Sequence, residues 1–183
     1  GAITLQPSTA ARPVVIGADG ATTDFALSTT EIASLTDGFS SITIGLTTGT
    51  GIMTINTVSF NDPVNFYNYG AAGDIIVTGA LTTTQDSAIT FIAGTTTNAF
   101  TMTAGAGNTI SSGSGAITIW ADTIVLNTTP NTITGTGAIT LTPRTYARPV
   151  VIGADGASTD FALSTAEIAS LTDGFSSITI GLT

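Results

Sequence analysis

The chain has no cysteine, no histidine and no lysine, and its only cations are Arg12, Arg144 and Arg148. Each absence removes a class of function. Without cysteine there is no disulfide framework and no thiolate chemistry. Without histidine or lysine the usual nucleophile–base pairs are unavailable, so no enzyme is expected. Three cations against twelve acidic residues give a formal charge of −9. Nucleic-acid affinity rests on Lys and Arg neutralising phosphates, which excludes a nucleic-acid partner. Anionic membrane surfaces are disfavoured on the same ground. No apolar run approaches the ~20 residues of a spanning helix, so membrane insertion is not expected. Charged residues make up 8% of the chain, against about 25% in an ordinary globular domain. Disorder goes with low hydrophobicity and high charge, whereas 42% of this chain is hydrophobic.

What is present is a repeat. Residues 1–47 and residues 137–183 align without a gap at an offset of 136 and differ at five positions: Gln6/Thr142, Ser8/Arg144, Ala10/Tyr146, Thr22/Ser158 and Thr30/Ala166. The expectation is one complete tandem unit over 1–136, with 137–183 beginning the next identical unit of a longer array. No linker separates them: residues 131–141 read as continuous strand-like sequence. Three of the five differences cluster in one turn, where units are expected to differ at the surface.

Short alternations of apolar and polar residues, bounded by Gly, Asn, Asp and Ser, mark strands and turns. Ile3, Val14 and Phe25 lie 11 residues apart; Ile42, Met53, Val64 and Ile75 continue at 11; Ile89 to Phe100 is 11; Ile139, Val150 and Phe161 repeat the first series. That step implies about two strands per coil and coils of about 22 residues, within the range of stacked repeats. A 136-residue unit would then hold about six coils, with an axial rise near ~29 Å at normal strand spacing. The reading is an all-β parallel β-helix, a β-solenoid, with one short helix per 136-residue unit. Beads of antiparallel sandwich are the rival, since meanders also space strands at 8–12 residues. The helix is expected where Ser28 and Glu31 form a capping box ahead of Ile32 and Leu35, with Gly38 at a left-handed stop; Ser164, Glu167 and Gly174 repeat it. Pro63 belongs at a strand start or turn. Asn108, Asn127 and Asn131 fall at turns and could stack as ladders.

Phrases such as GALTTTQDSAITFIA, SGSGAITIWADTIVL and GTGAITLTP resemble repeats of the filamentous-haemagglutinin class of large bacterial surface and secreted proteins. LSTAEIASLTDGFSSITIG is similar to a block in giant repetitive exoproteins of the same kind. The resemblance implies a right-handed parallel β-helix in an extracellular fibre or adhesin, and carries no catalytic residues. Absent Lys and scarce charge point the same way, to an extracellular or cell-surface structural protein. Its expected partners are its own neighbouring units, with a glycan as an alternative.

Four chemical candidates remain. Carboxylate pairs alone could hydrolyse glycosides; Asp19, Asp24, Glu31, Asp37, Asp62, Asp74, Asp86 and Asp122 all sit in turn or cap contexts, which favours structural work. Calcium is the sharper alternative, at Asp19 and Asp24 in a Gly-rich turn and at their copies Asp155 and Asp160, although the calcium nonapeptide pattern is unmatched. The tracts Thr82–Thr84 and Thr95–Thr97 raise an ice-binding reading, set against the absence of a regular T-x-T ladder at coil period. Among the aromatics, Phe60 and Phe66 are assigned to the core, and Tyr67 and Tyr69 to an exposed lateral contact. Arg12 and Arg148 are expected to pair with Asp19 or Asp24.

Overall fold

Strand-forming Ile, Val and Phe alternate with Thr, and the alternation sorts side chains to two faces of each strand. The computed structural model describes residues 1–95 and 99–182. Its first circuit comprises β1 (Ala2–Leu5), β2 (Val14–Ile16), β3 (Phe25–Leu27) and α1 (Thr29–Ala33). Then come β4 (Ser41–Leu46), β5 (Met53–Ile55) and β6 (Val58–Phe60); β7 (Val64–Asn68), β8 (Ile75–Val77) and β9 (Leu81–Thr83); and β10 (Ile89–Ala93), β11 (Phe100–Met102) and β12 (Ile110–Ser111). The fifth circuit is β13 (Ile117–Trp120), β14 (Ile124–Val125) and β15 (Ile133–Thr134). The sixth repeats the first, with β16 (Ala138–Thr142), β17 (Val150–Ile152), β18 (Phe161–Leu163) and α2 (Thr165–Ile168), before β19 (Ser177–Ile180).

Apart from β2 with β3 and β17 with β18, which pair directly, successive strands go to different sheets and return in order. The first sheet runs β1-β4-β7-β10-β13-β16-β19, the second β14-β11-β8-β5-β2-β3, the third β15-β12-β9-β6, and β17 pairs with β18 alone. All the described pairings are parallel, which removes the antiparallel sandwich. No described helix is long and apolar enough to cross a membrane.

Two expectations need correction. A circuit has three strands, not two, because β5 and β6 are separated only by Asn56 and Thr57, and the 11-residue step from Met53 to Val64 passes over the second of them. The steps are also unequal. Ile3 pairs with Ile42, then Val64, Ile89, Ile117 and Ile139 follow in register, at spacings of 39, 22, 25, 28 and 22 residues. The unit therefore has five steps in the large sheet, where a uniform step gives about six.

Inward positions stack into columns. Ile42, Val64, Ile89, Ile117 and Ile139 form one, and Ile44, Phe66, Phe91, Ile119 and Leu141 the next, all buried. Phe66 stacks on Phe91 at 5.3 Å between centroids, while Phe60 meets Phe66 and Phe100 meets Phe91 edge-on. Phe60 and Phe66 are core residues, as expected. Pro63 immediately precedes β7 and its carbonyl accepts from the Ile42 N–H. Every described buried polar side-chain atom has a partner; Asn68, for example, donates to the Gly51 and Asp74 carbonyls.

Both capping boxes form, with Ser28 and Glu31 and with Ser164 and Glu167 exchanging bonds. The helices span five and four residues rather than about two turns. α1 ends because the Ser34 hydroxyl donates to the Glu31 carbonyl and Leu35 turns back toward the core. Gly38 does take a positive φ of 110°, but beyond the helix end.

Candidate functional site

The duplicated block stands in two environments. In the first copy β2 is covered by β5, so Val14 is 3% exposed and Ile16 0%; in the second, their counterparts Val150 and Ile152 are 42% and 58% exposed. Ile42 is 2% exposed under β7, whereas Ile178 is 51% exposed. The opposite faces behave in reverse: Phe161 and Leu163 are fully buried against the fifth circuit, and Phe25 and Leu27 only partly. One copy displays the block's upper contact and the other its lower contact.

The lower contact is the seam between the fifth circuit and residues 137–182. β16 pairs with β13, and Leu171 bridges Ile133. Asp122, itself buried, accepts from the Thr145 N–H and hydroxyl, both at 2.6 Å. β18 lies against β14 but belongs to a different sheet. Side chains close that join. Arg148 donates to the Asp122 carbonyl at 2.7 Å and to the Asp160 carbonyl at 3.3 Å, and Glu167 accepts from the Leu126 N–H at 3.0 Å. Between them runs an open groove of about 390 Å³.

The outer face of the large sheet carries a column that the sequence reading did not find. Thr4, Thr43, Asn65, Thr90, Thr118, Thr140 and Thr179 are register partners. It is a single column and not a T-x-T ladder, since the outward positions two residues on are Gly45, Tyr67, Ile92, Trp120 and Thr142; unequal circuit lengths hide it in the sequence. The Thr82–Thr84 tract does not build it, and Thr96 and Thr97 of the other tract lie outside the described residues. The signal was the recurring Ala/Ser-Ile-Thr triplet at 2–4, 41–43, 88–90, 116–118, 138–140 and 177–179.

Tyr67 and Tyr69 come together, edge to face at 6.1 Å, but both are half-buried. Arg144 lies over the Tyr69 ring at 4.6 Å and donates to the Tyr69 and Ala93 carbonyls. Among the described residues the exposed aromatics are Tyr146, 81% exposed, and Trp120, 38% exposed, and both line a shallow groove with Ile92, Thr90, Thr118 and Thr142.

The carboxylates serve the backbone. Asp24 and Asp160 accept from the N–H groups of Ala21 and Ala157, closing their own turns. Asp62 accepts from Gly38, Asp86 from Ser114, and Asp37 from the Gln85 amide. Asp19 and Asp155 are exposed. Among the described residues no group of three or more acidic side chains gathers where it could hold a metal ion. Arg12 does reach Asp24, but through the backbone carbonyl at 2.8 Å and that of Thr23 at 3.0 Å, because the carboxylate is turned into its own loop. Hydrogen bonds from the Ser28 backbone and hydroxyl hold the Glu31 carboxyl below its ordinary range.

Comparison with protein-family models, with curated proteins and with solved structures finds no match.

Proposed function

We propose that the chain is part of a right-handed parallel β-solenoid built from tandem 136-residue units, serving as an extracellular fibre or surface stalk. Right-handedness is the sense of about 98% of parallel crossover connections. The observation that carries the reading is the duplicated block in its two environments. What covers it from below and what covers it from above are both parts of the same unit, so units can follow one another without a linker. Mechanical strength would come from hydrogen-bonded ladders along the axis, a continuous apolar core, and stability that sums over neighbours.

The test is a series of chains with increasing unit number, examined by denaturation and electron microscopy. Five steps of the large sheet at about 4.8 Å give a length increment near ~24 Å per unit. Denaturant sensitivity should rise with length as buried surface accumulates. Units that unfold independently, or a markedly longer increment, would overturn the reading.

A second reading rests on Trp120 and Tyr146 flanked by threonine hydroxyls. An aromatic face with polar neighbours suits a glycan. Loss of glycan-array signal in Trp120→Ala would support it, and an unchanged or absent signal would remove it.

A further inference from the structure

The outer wall of the large sheet carries a second column beside its threonines. Tyr67, Ile92 and Trp120 are register partners on β7, β10 and β13, and they face outward because their neighbours Phe66, Phe91 and Ile119 face in. Asn65, Thr90 and Thr118 run alongside them, two residues back and about 6.7 Å away. None of these residues is charged, in a chain of net charge −9. Each of the three strands is paired on both sides, so units stacked along the axis do not cover this wall. The Trp120 indole N–H donates to the Pro143 carbonyl at 3.1 Å, which fixes the ring against the wall. The threonine hydroxyls here are idle. On the other walls Thr78, Thr103 and Thr172 donate theirs to the carbonyls of Ile55, Val77 and Ile133 in the preceding circuit. Among the described residues none bonds to the Thr90 or Thr118 hydroxyl.

We infer that this wall is a platform for a neutral, extended β-1,4-linked polysaccharide lying along the solenoid axis. The inference rests on the glycan reading of Trp120 above and gives that ligand a linkage and a direction. Tyr67 and Trp120 are two strand spacings apart, about 9.6 Å. An extended β-1,4-linked chain turns over at each ring and presents the same ring face again after two rings, close to that distance. Alternate pyranose rings stack on Tyr67 and Trp120, and the ring between them lies over Ile92. Equatorial hydroxyls leave such rings in the ring plane, toward the Asn65 amide and the Thr90 and Thr118 hydroxyls. An acidic chain with no cation among these residues disfavours uronate and sulfate polymers, which leaves neutral ones. A second copy of the chain is the competing occupant. The strip covers roughly 10 Å by 13 Å, far short of the about 800 Å² per partner of a stable protein interface.

Trp120 is the chain's one tryptophan, so its fluorescence reports on the platform. At least one of cellohexaose and chitohexaose should shift its emission saturably. Maltohexaose, whose α-1,4 linkage curls the chain, should leave it unchanged. Tyr67→Ala should weaken hexaose binding about tenfold, the worth of one aromatic contact. Thr118→Val keeps shape and strand propensity, so it folds where Tyr67→Ala fails to, and it should weaken binding several-fold through the lost hydroxyl. Tyr146→Ala should bind as the parent does. If Tyr146→Ala weakens binding while Tyr67→Ala and Thr118→Val do not, the ligand runs across Trp120 and Tyr146; the axial platform is refuted and the glycan reading stands. An equal shift with maltohexaose refutes the extended chain. A shift that follows protein concentration without sugar, with doubled mass by light scattering, gives the wall to a second copy and refutes the platform. No shift with either β-linked hexaose at millimolar concentration also refutes it, and an empty glycan array then removes the broader reading as well.

Discussion

Asp122 and Thr145 are joined by two hydrogen bonds of 2.6 Å, from the backbone N–H and the hydroxyl of Thr145 to the two carboxylate oxygens of Asp122. The pair spans the seam, and Asp122 is buried. Asp122→Ala leaves the Thr145 N–H without its acceptor, a loss of about 2–4 kcal/mol given that bonds to charged groups contribute about 1.5–3 each. Chemical denaturation should show that decrease, with a smaller one for Asp122→Asn. A variant as stable as the parent would contradict the clasp.

Arg144 is one of the five positions at which the second copy departs from the first, which has Ser8 there. Arg144→Ser removes two bonds to carbonyls and the cover over Tyr69. Half-exposed interactions of this kind are modest, so a decrease of about 1 kcal/mol is expected. Limited proteolysis should quicken within residues 69–74, the turn Arg144 pins; unaltered cleavage there would count against that role.

The Glu31 carboxyl is held below its ordinary pKa by Ser28. A depressed acid contributes stability above its unfolded pKa and loses it as pH falls through the folded value. Acidification through the carboxylate range should therefore weaken the α1 cap. The difference between parent and Glu31→Gln should shrink toward low pH. A difference that stays constant with pH would exclude the carboxylate as its source.

Gly45 has φ +101° and lies opposite Tyr67 in the ladder. A Cβ there would run into the Tyr67 carbonyl and the Met53 methyl. Gly45→Ala combines a left-handed backbone penalty of about 1–2 kcal/mol with that overlap. A clear fall in melting temperature is expected, whereas Gly38→Ala, with open space around its Cβ, should lose only the backbone part.

Much of this fold was legible in the residues. The inward columns through Ile42, Phe66, Phe91 and Ile117 follow from alternation alone, and the two capping boxes from Ser-x-x-Glu. The third strand per circuit was not, because the Asn56–Thr57 corner is too short to break an apolar pattern. The Thr column was masked by circuits of 22 to 39 residues, since a constant step cannot follow insertions that leave register unchanged. The seam was hidden for another reason. Asp122 looks like any turn aspartate until Thr145, 23 residues on, is placed over it. The arginine partners are not legible either, because charge alone points a guanidinium to a carboxylate, while the structure sets Arg12 and Arg148 on carbonyls.

Residues 1–136 place five strands in the large sheet but six in the second, because β2 and β3 both enter it from a single circuit. A stack repeating that unit has one wall longer than the other by a strand spacing of about 4.8 Å, across a thickness of roughly 10 Å. Such a body is a wedge and cannot run straight. It turns by about half a radian per unit, so roughly a dozen units wind through a full turn. Units stacked as proposed above would wind rather than run straight, with the β14–β18 joins on the longer wall.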